Sequence, residues 1–180
     1  MSTTTTAPAS DSLAALIADD LPGWTRQPDA IGDTGPTDLS KATLDDVGSN
    51  LSSDPRAELT TDGFERGYQR QWTMVDAAGE PIQGFVFLYQ FDNPDGAVRY
   101  AAHWRESLLS TNQGSEVGSY TPAFMPGATG LTVSDQAGST AIAIVTKGQY
   151  AVKAQVTGSP NADQSGPASQ LALAQYQRLP

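Results

Sequence analysis

The sequence predicts an α+β fold, an antiparallel sheet of five or six strands with helices packed mainly on one face. Three observations predict it. Residues 64–74 alternate with period two, which marks a half-buried strand. Residues 82–91 are apolar on both faces, so that strand belongs at the centre of the sheet. Further strand-like runs at 128–134, 139–146 and 149–157 are joined by turns too short for a crossover, which makes an antiparallel meander.

Taken in order, residues 1–10 are a Thr/Pro/Ala-rich tail that buries nothing, and 11–180 read as a single α+β domain. The tail suits a stalk left after an anchor or signal segment, and equally a plain disordered N-terminus. Asp11 or Ser10 caps a short helix through Asp20, with Leu13, Leu16 and Ile17 on one face. Leu21-Pro22-Gly23-Trp24 ends it; Trp24 beside a Pro-Gly turn is read as a core anchor before a ligand platform. Residues 32–36 form a loop, and helices follow at 37–48 and 53–63, each closed by a glycine.

The stretch 64–109 is written with the least ambiguity. Phe64, Arg66, Tyr68, Arg70, Trp72 and Met74 share one face of the first strand, and Gly67, Gln69, Gln71 and Thr73 the other. On the second strand Phe85, Phe87, Tyr89 and Phe91 oppose Val86 and Leu88. Asn93 is a good N-cap, Pro94 suits the first helical position and Asp95 favours the positive end of the dipole. The helix then lays Ala97, Ala101, Trp104 and Leu108 on the sheet. Residues 110–119 read as a polar mobile link. After the meander, a loop at 158–167 leads to a closing helix at 168–179 with Leu171, Ala172, Leu173, Tyr176 and Leu179 apolar. Strand, strand, helix thus occurs at 64–109 and again at 128–179, a pseudo-repeat of weak residue identity.

Composition narrows function by exclusion. Twenty acidic against ten basic residues give a net charge of −10, which argues against nucleic acid, whose binding needs clustered Lys and Arg. No apolar run is long enough to span a bilayer, and no charged-then-apolar signal stretch begins at Met1. The absence of cysteine removes disulfides, thiol nucleophiles and thiolate metal sites together. Lysine occurs only at Lys41, Lys147 and Lys153, while Thr, Ser, Ala, Gly, Pro and Gln abound, a surface more like that of an exported protein of a high-GC bacterium.

No chemical motif rises above background. The one histidine, His103, has no second His or Cys to complete a zinc shell, so no metal site and no cofactor is expected. Gly114-Ser115-Glu116-Val117-Gly118 lacks the central serine of a nucleophile elbow. Asp19-Asp20, Asp45-Asp46 and Glu58 with Asp62 read as surface charge, and 92–96 as a helix cap, not a calcium loop. Asn50-Leu51-Ser52 is a sequon too common to weigh. What remains as a candidate ligand surface is Arg66, Tyr68, Arg70 and Trp72 on one strand face, with Tyr100, His103 and Trp104 on the following helix. An open face of this kind offers cationic and aromatic surface to an acidic or sugar-like ligand; the plainer reading is a solvated sheet face with snorkelling arginines.

Several short motifs carry a resemblance: Leu21-Pro22-Gly23-Trp24, Gly63-Phe64 followed by Gly67-Tyr68-Gln69-Arg70, the strand 85–91 with Asp92 and Gly96-Ala97, and Pro126-Gly127-Ala128. Through them the chain resembles actinobacterial exported domains of unassigned function, many of them lipoproteins. Its plan is also similar to LpqN-like and PsbP-like α+β modules. The resemblance implies a binding or accessory module and supplies no catalytic residue; a lipobox cysteine is missing. The expectation is a non-enzymatic extracytoplasmic domain that binds an envelope small molecule, a lipid or another envelope protein. It would use a sheet face or the cleft beside the 64–109 helix, with any membrane tether lying outside this sequence. The alternatives are a structural or assembly component and a His103-dependent hydrolase.

Overall fold

The computed structural model describes residues 13–28, 31–34, 59–76, 78–112, 116–160 and 162–180. The expected tail, the helix at 37–48, the start of that at 53–63 and the sequon lie outside them. Helices α1 (Leu13–Leu16), α2 (Pro94–Thr111) and α3 (Ser165–Arg178) accompany strands β1 (Thr25–Arg26), β2 (Ile31–Thr34), β3 (Phe64–Val75), β4 (Pro81–Phe91), β5 (Glu116–Tyr120), β6 (Thr129–Ser134), β7 (Ser139–Lys147) and β8 (Tyr150–Gly158).

All pairings are antiparallel, in the order β1-β3-β4-β8-β7-β6-β5, with β2 also paired to β3. The sheet has eight strands where five or six were expected. The extra ones are short and at the edges: β1 and β2 follow Trp24, and β5 falls where a mobile link was predicted. An edge strand pairs through its backbone on one side only. Exposed on both faces, β5 leaves no hydrophobic alternation to read.

The central strand behaves as its sequence demands. On β4, Val86 and Leu88 enter one core with Trp72, Val152 and Val156, while Phe87, Tyr89 and Phe91 enter another with Tyr100, Trp104 and Ile144. The first core is closed by Leu13 and Ile17 of the α1 segment and by Ala168, Leu171 and Ala172 of α3; the second is closed by Ala97, Tyr100 and Trp104 of α2. Helices therefore lie on both faces, which corrects the one-face expectation. A strand apolar on both sides requires cover on both.

Local chemistry fixes each helix. Asn93 Oδ1 accepts the Gly96 amide at 2.9 Å with Pro94 in the first turn, as the sequence anticipated. At the start of α3 the Ser165 amide is taken by Asp163 Oδ1 at 2.8 Å, and that bond holds the Asp163 carboxyl below its ordinary range. Lys147 Nζ donates to the carbonyl of Leu179 at 2.6 Å, closing the other end. The α1 segment is shorter than predicted but firmly held: Gln175, fully buried on α3, accepts the Ala18 amide at 2.8 Å and donates to Leu16 O at 3.0 Å. Trp24 packs over Gly84, where an added Cβ would stand 2.7 Å from its ring, so it is a core anchor. Tyr120 lies over Gly130 in the same way, and burial pushes its phenol up to about 12.

Candidate functional site

The seven residues singled out by sequence fall on opposite sides of the sheet. Tyr68, Arg70 and Trp72 are buried beneath the α1 segment and α3, so the expected open face of cations and aromatics is closed. Arg70, only 3% exposed, donates to Ala18 O at 3.0 Å and pairs with Asp19 Oδ1 at 3.1 Å. That partner is what a covered arginine requires. Arg66, half-buried, donates from Nε to Gln90 Oε1 at 2.7 Å. Phe64 leaves this face altogether: a bulge between Phe64 and Arg66 adds a residue to β3 and turns the ring into the α2 core.

Tyr100 and Trp104 are buried in that core, their rings tilted at 50° with centres 4.7 Å apart, and both pack on Tyr89. His103 sits beside them at the surface, with Nδ1 3.4 Å from Asp62 Oδ2; Arg99 Nε donates to the other oxygen of this buried carboxylate at 2.7 Å. The arrangement can orient an imidazole. Among the described residues Nδ1 of His103 has no hydrogen-bond partner.

Two concave sites among the described residues lie elsewhere on the α2 face. Tyr89 and Phe91 draw α2 onto one end of β4 through Tyr100 and Trp104, and the helix stops at Thr111, with Asn112 Nδ2 donating to Leu108 O at 2.8 Å. A cavity of about 390 Å³ is formed by Leu108 and Asn112 above, with Val133, Thr140, Ile142, Gln155 and Thr157 as its floor and Asp135 at its end. A second cavity, of about 220 Å³, lies between Val98, Ala102 and Arg105 of α2 and Thr129 and Ile144 of the sheet. Both lie along the helix, the second bordered also by Glu106.

Strand register shows what the larger cavity opens onto. Thr25, Thr73, Gln83, Thr157, Thr140, Val133 and Val117 stand side by side across the sheet. The next row on the same face is Gln71, Phe85, Gln155, Ile142, Leu131 and Ser119. Neither row holds a charge. Among the described residues Asp135 is the one charged residue bordering the larger cavity, and its Oδ1 accepts the amides of Ala137 and Gly138 in its own turn. Phe85 is half-buried, its ring nearly parallel to that of Phe87 at 6.2 Å. Sequence reasoning passed over these residues because they come from seven separated strands. The available signal was the second face of β3, with Gln69, Gln71 and Thr73 in alternation.

No protein-family model matches the chain. No curated protein matches it either. Among solved structures it is similar to the extracellular domain of PknH from Mycobacterium tuberculosis, with a TM-score of 0.52 and 9% identity over 91% of this chain and 94% of that one. At that identity the likeness is one of fold. No helix among the described residues is long and apolar enough to cross a membrane.

Proposed function

We propose that this chain is a non-catalytic extracytoplasmic domain of an actinobacterial envelope protein, and that it binds its ligand in the groove between α2 and strands β6 to β8. The observation that carries the reading is the larger cavity: about 390 Å³, with Val133 and Ile142 set among Thr140, Gln155 and Thr157, is of ligand-site size. The compartment follows from the composition and from a fold shared with an extracellular mycobacterial domain. Binding here asks nothing of His103. The envelope assignment also agrees with an acidic, lysine-poor surface, which suits neither nucleic acid nor anionic lipid.

The test is a titration of the isotope-labelled full chain with a soluble extract of its host's envelope, followed by backbone amide shifts. Shifts at Asn112, Thr140, Gln155 and Thr157 are expected. A bulky substitution at the floor, Thr140→Trp, should abolish them in a folded protein. No shift at saturating extract, or shifts confined to the His103 and Asp62 surface, would overturn the reading.

A further inference from the structure

We propose that Asp62 and His103 form a proton-operated clasp, which fastens the segment 59–63 onto α2 more tightly as pH falls through the range in which an imidazole titrates, about pH 5 to 8. The segment runs straight into β3, and three contacts hold it. Leu59 is fully buried in the core beneath α2. The carbonyl of Gly63 accepts the Asp92 amide at 2.8 Å. The third contact is the carboxylate of Asp62, only 2% exposed, which faces Arg99 and His103, two residues one turn apart on the helix. The backbones approach closely here. A Cβ on Gly96 would stand 2.0 Å from the Asp62 carbonyl oxygen, so glycine in the first turn of α2 is what lets the segment lie against it.

The two oxygens of Asp62 are held differently. Oδ1 accepts from Arg99 Nε at 2.7 Å. Among the described residues Oδ2 is buried without a hydrogen-bond partner, and so is His103 Nδ1, 3.4 Å from it. A buried carboxylate oxygen left unmet is costly, and the geometry aims these two atoms at each other. A neutral imidazole carries its proton on one nitrogen or the other; with it on Nε2, two lone pairs face across the gap. Protonation puts a hydrogen on both nitrogens, so Nδ1 must donate, and a small rotation of the ring closes the gap to about 2.8 Å, the length of a charge-assisted bond. The surrounding charges do not reverse this. Among the described residues they are Arg99, Arg105 and Glu106 on α2, Glu65 at the start of β3, Asp92 just past β4, and Lys153 on β8, whose ammonium lies over the rings of Phe87 and Trp104. Arg99 is half-exposed, so its repulsion of a second cation is screened by solvent, whereas the carboxylate between them is out of water. Docking of the segment therefore favours the charged ring: the clasp is closed below the imidazole range and loosens as pH rises through it.

The test is hydrogen exchange of the full chain, followed amide by amide between about pH 5 and 8 and corrected for the intrinsic rate at each pH. The reporters are Gly63 and Asp92, whose amides are held by Thr60 O at 3.2 Å and by Gly63 O at 2.8 Å; Val152 and Val156 of β8 are the reference. Protection of the reporters relative to the reference should be about threefold to fivefold higher at the acid end, the worth of an ion pair with one half-exposed partner. His103→Gln, which keeps a polar side chain of similar reach without a titrating charge, should flatten the profile while leaving the chain folded. Reporter protection that stays constant relative to β8 across the range would overturn the inference. So would a pH dependence that survives His103→Gln, or one that is unchanged in a folded Asp62→Asn variant. None of these results bears on the larger cavity, which none of these residues lines.

Discussion

The two faces of the sheet are built to different ends. Toward α1 and α3 the face is mostly aliphatic, with Val86, Leu88, Val152 and Val156 under Leu13, Ile17 and Leu171, and two of its buried polar side chains, Arg70 and Gln175, hold the N-terminal segment down. Toward α2 the face is aromatic, and among the described residues it is covered by α2 together with Leu59. A helix is about 10 Å across, whereas seven strands spaced at about 4.8 Å span nearly three times that width. One helix cannot cover such a face. Among the described residues, α2 leaves the larger cavity beside Val133, Thr140 and Gln155, and that cavity is where a ligand has room.

The largest effect that sharpens this contrast is Trp72→Ala against Phe85→Ala. Trp72 is fully buried on the sealed face, and its truncation should cost about 3–5 kcal/mol. Phe85 is half-buried, and its truncation should cost about 1–2 kcal/mol, because part of the ring already faces solvent. Urea denaturation of the two variants checks this. Equal losses would mean that the α2 face is sealed as well, and the groove would lose its claim as a site.

That contrast was only partly legible in the sequence. The two-sided apolar pattern of β4 fixed its central place, and it also required cover on both faces; the helices were nevertheless assigned to one face, because a helix's apolar stripe does not say which side of a sheet it will meet. Asn93 and Pro94 declared the start of α2 without ambiguity. The bulge at Phe64 was invisible, since a single inserted residue leaves the alternation on either side intact. It is what made Phe64 and Tyr68 look like neighbours on one face. The candidate site was the least legible part, because glutamine and threonine at alternate positions of an exposed strand look like ordinary surface until register aligns them.

A middle-sized effect probes how the sealed face is closed. Gln175→Leu keeps the volume and removes both bonds to the α1 segment, leaving the Ala18 amide and the Leu16 carbonyl without partners. Each unmet group costs about 1–3 kcal/mol if it stays buried, so the segment should open instead, for about 2 kcal/mol in all. Hydrogen exchange at Ala18 should accelerate far more than exchange in β4 or β8. Uniform acceleration would show that the segment is part of one cooperative core and not a strap over it.

The smallest effect concerns α3, the helix that makes one face sealed where the other is open. Asp163 is exposed, yet its carboxylate takes the Ser165 amide at 2.8 Å and has its pKa lowered from 3.8 by that bond. Folding therefore favours the charged form. The contribution is fully present above the unfolded value, and it is lost as pH falls through the lower folded one. Asp163→Ala should destabilise the chain by about 1 kcal/mol near neutrality, the usual net worth of one hydrogen bond. Thermal melts of variant and parent should converge on acidification, since the protonated parent has already given up most of the bond's advantage. A gap that persists undiminished at about pH 2 would show that the charge of Asp163 is not what anchors the first turn of α3.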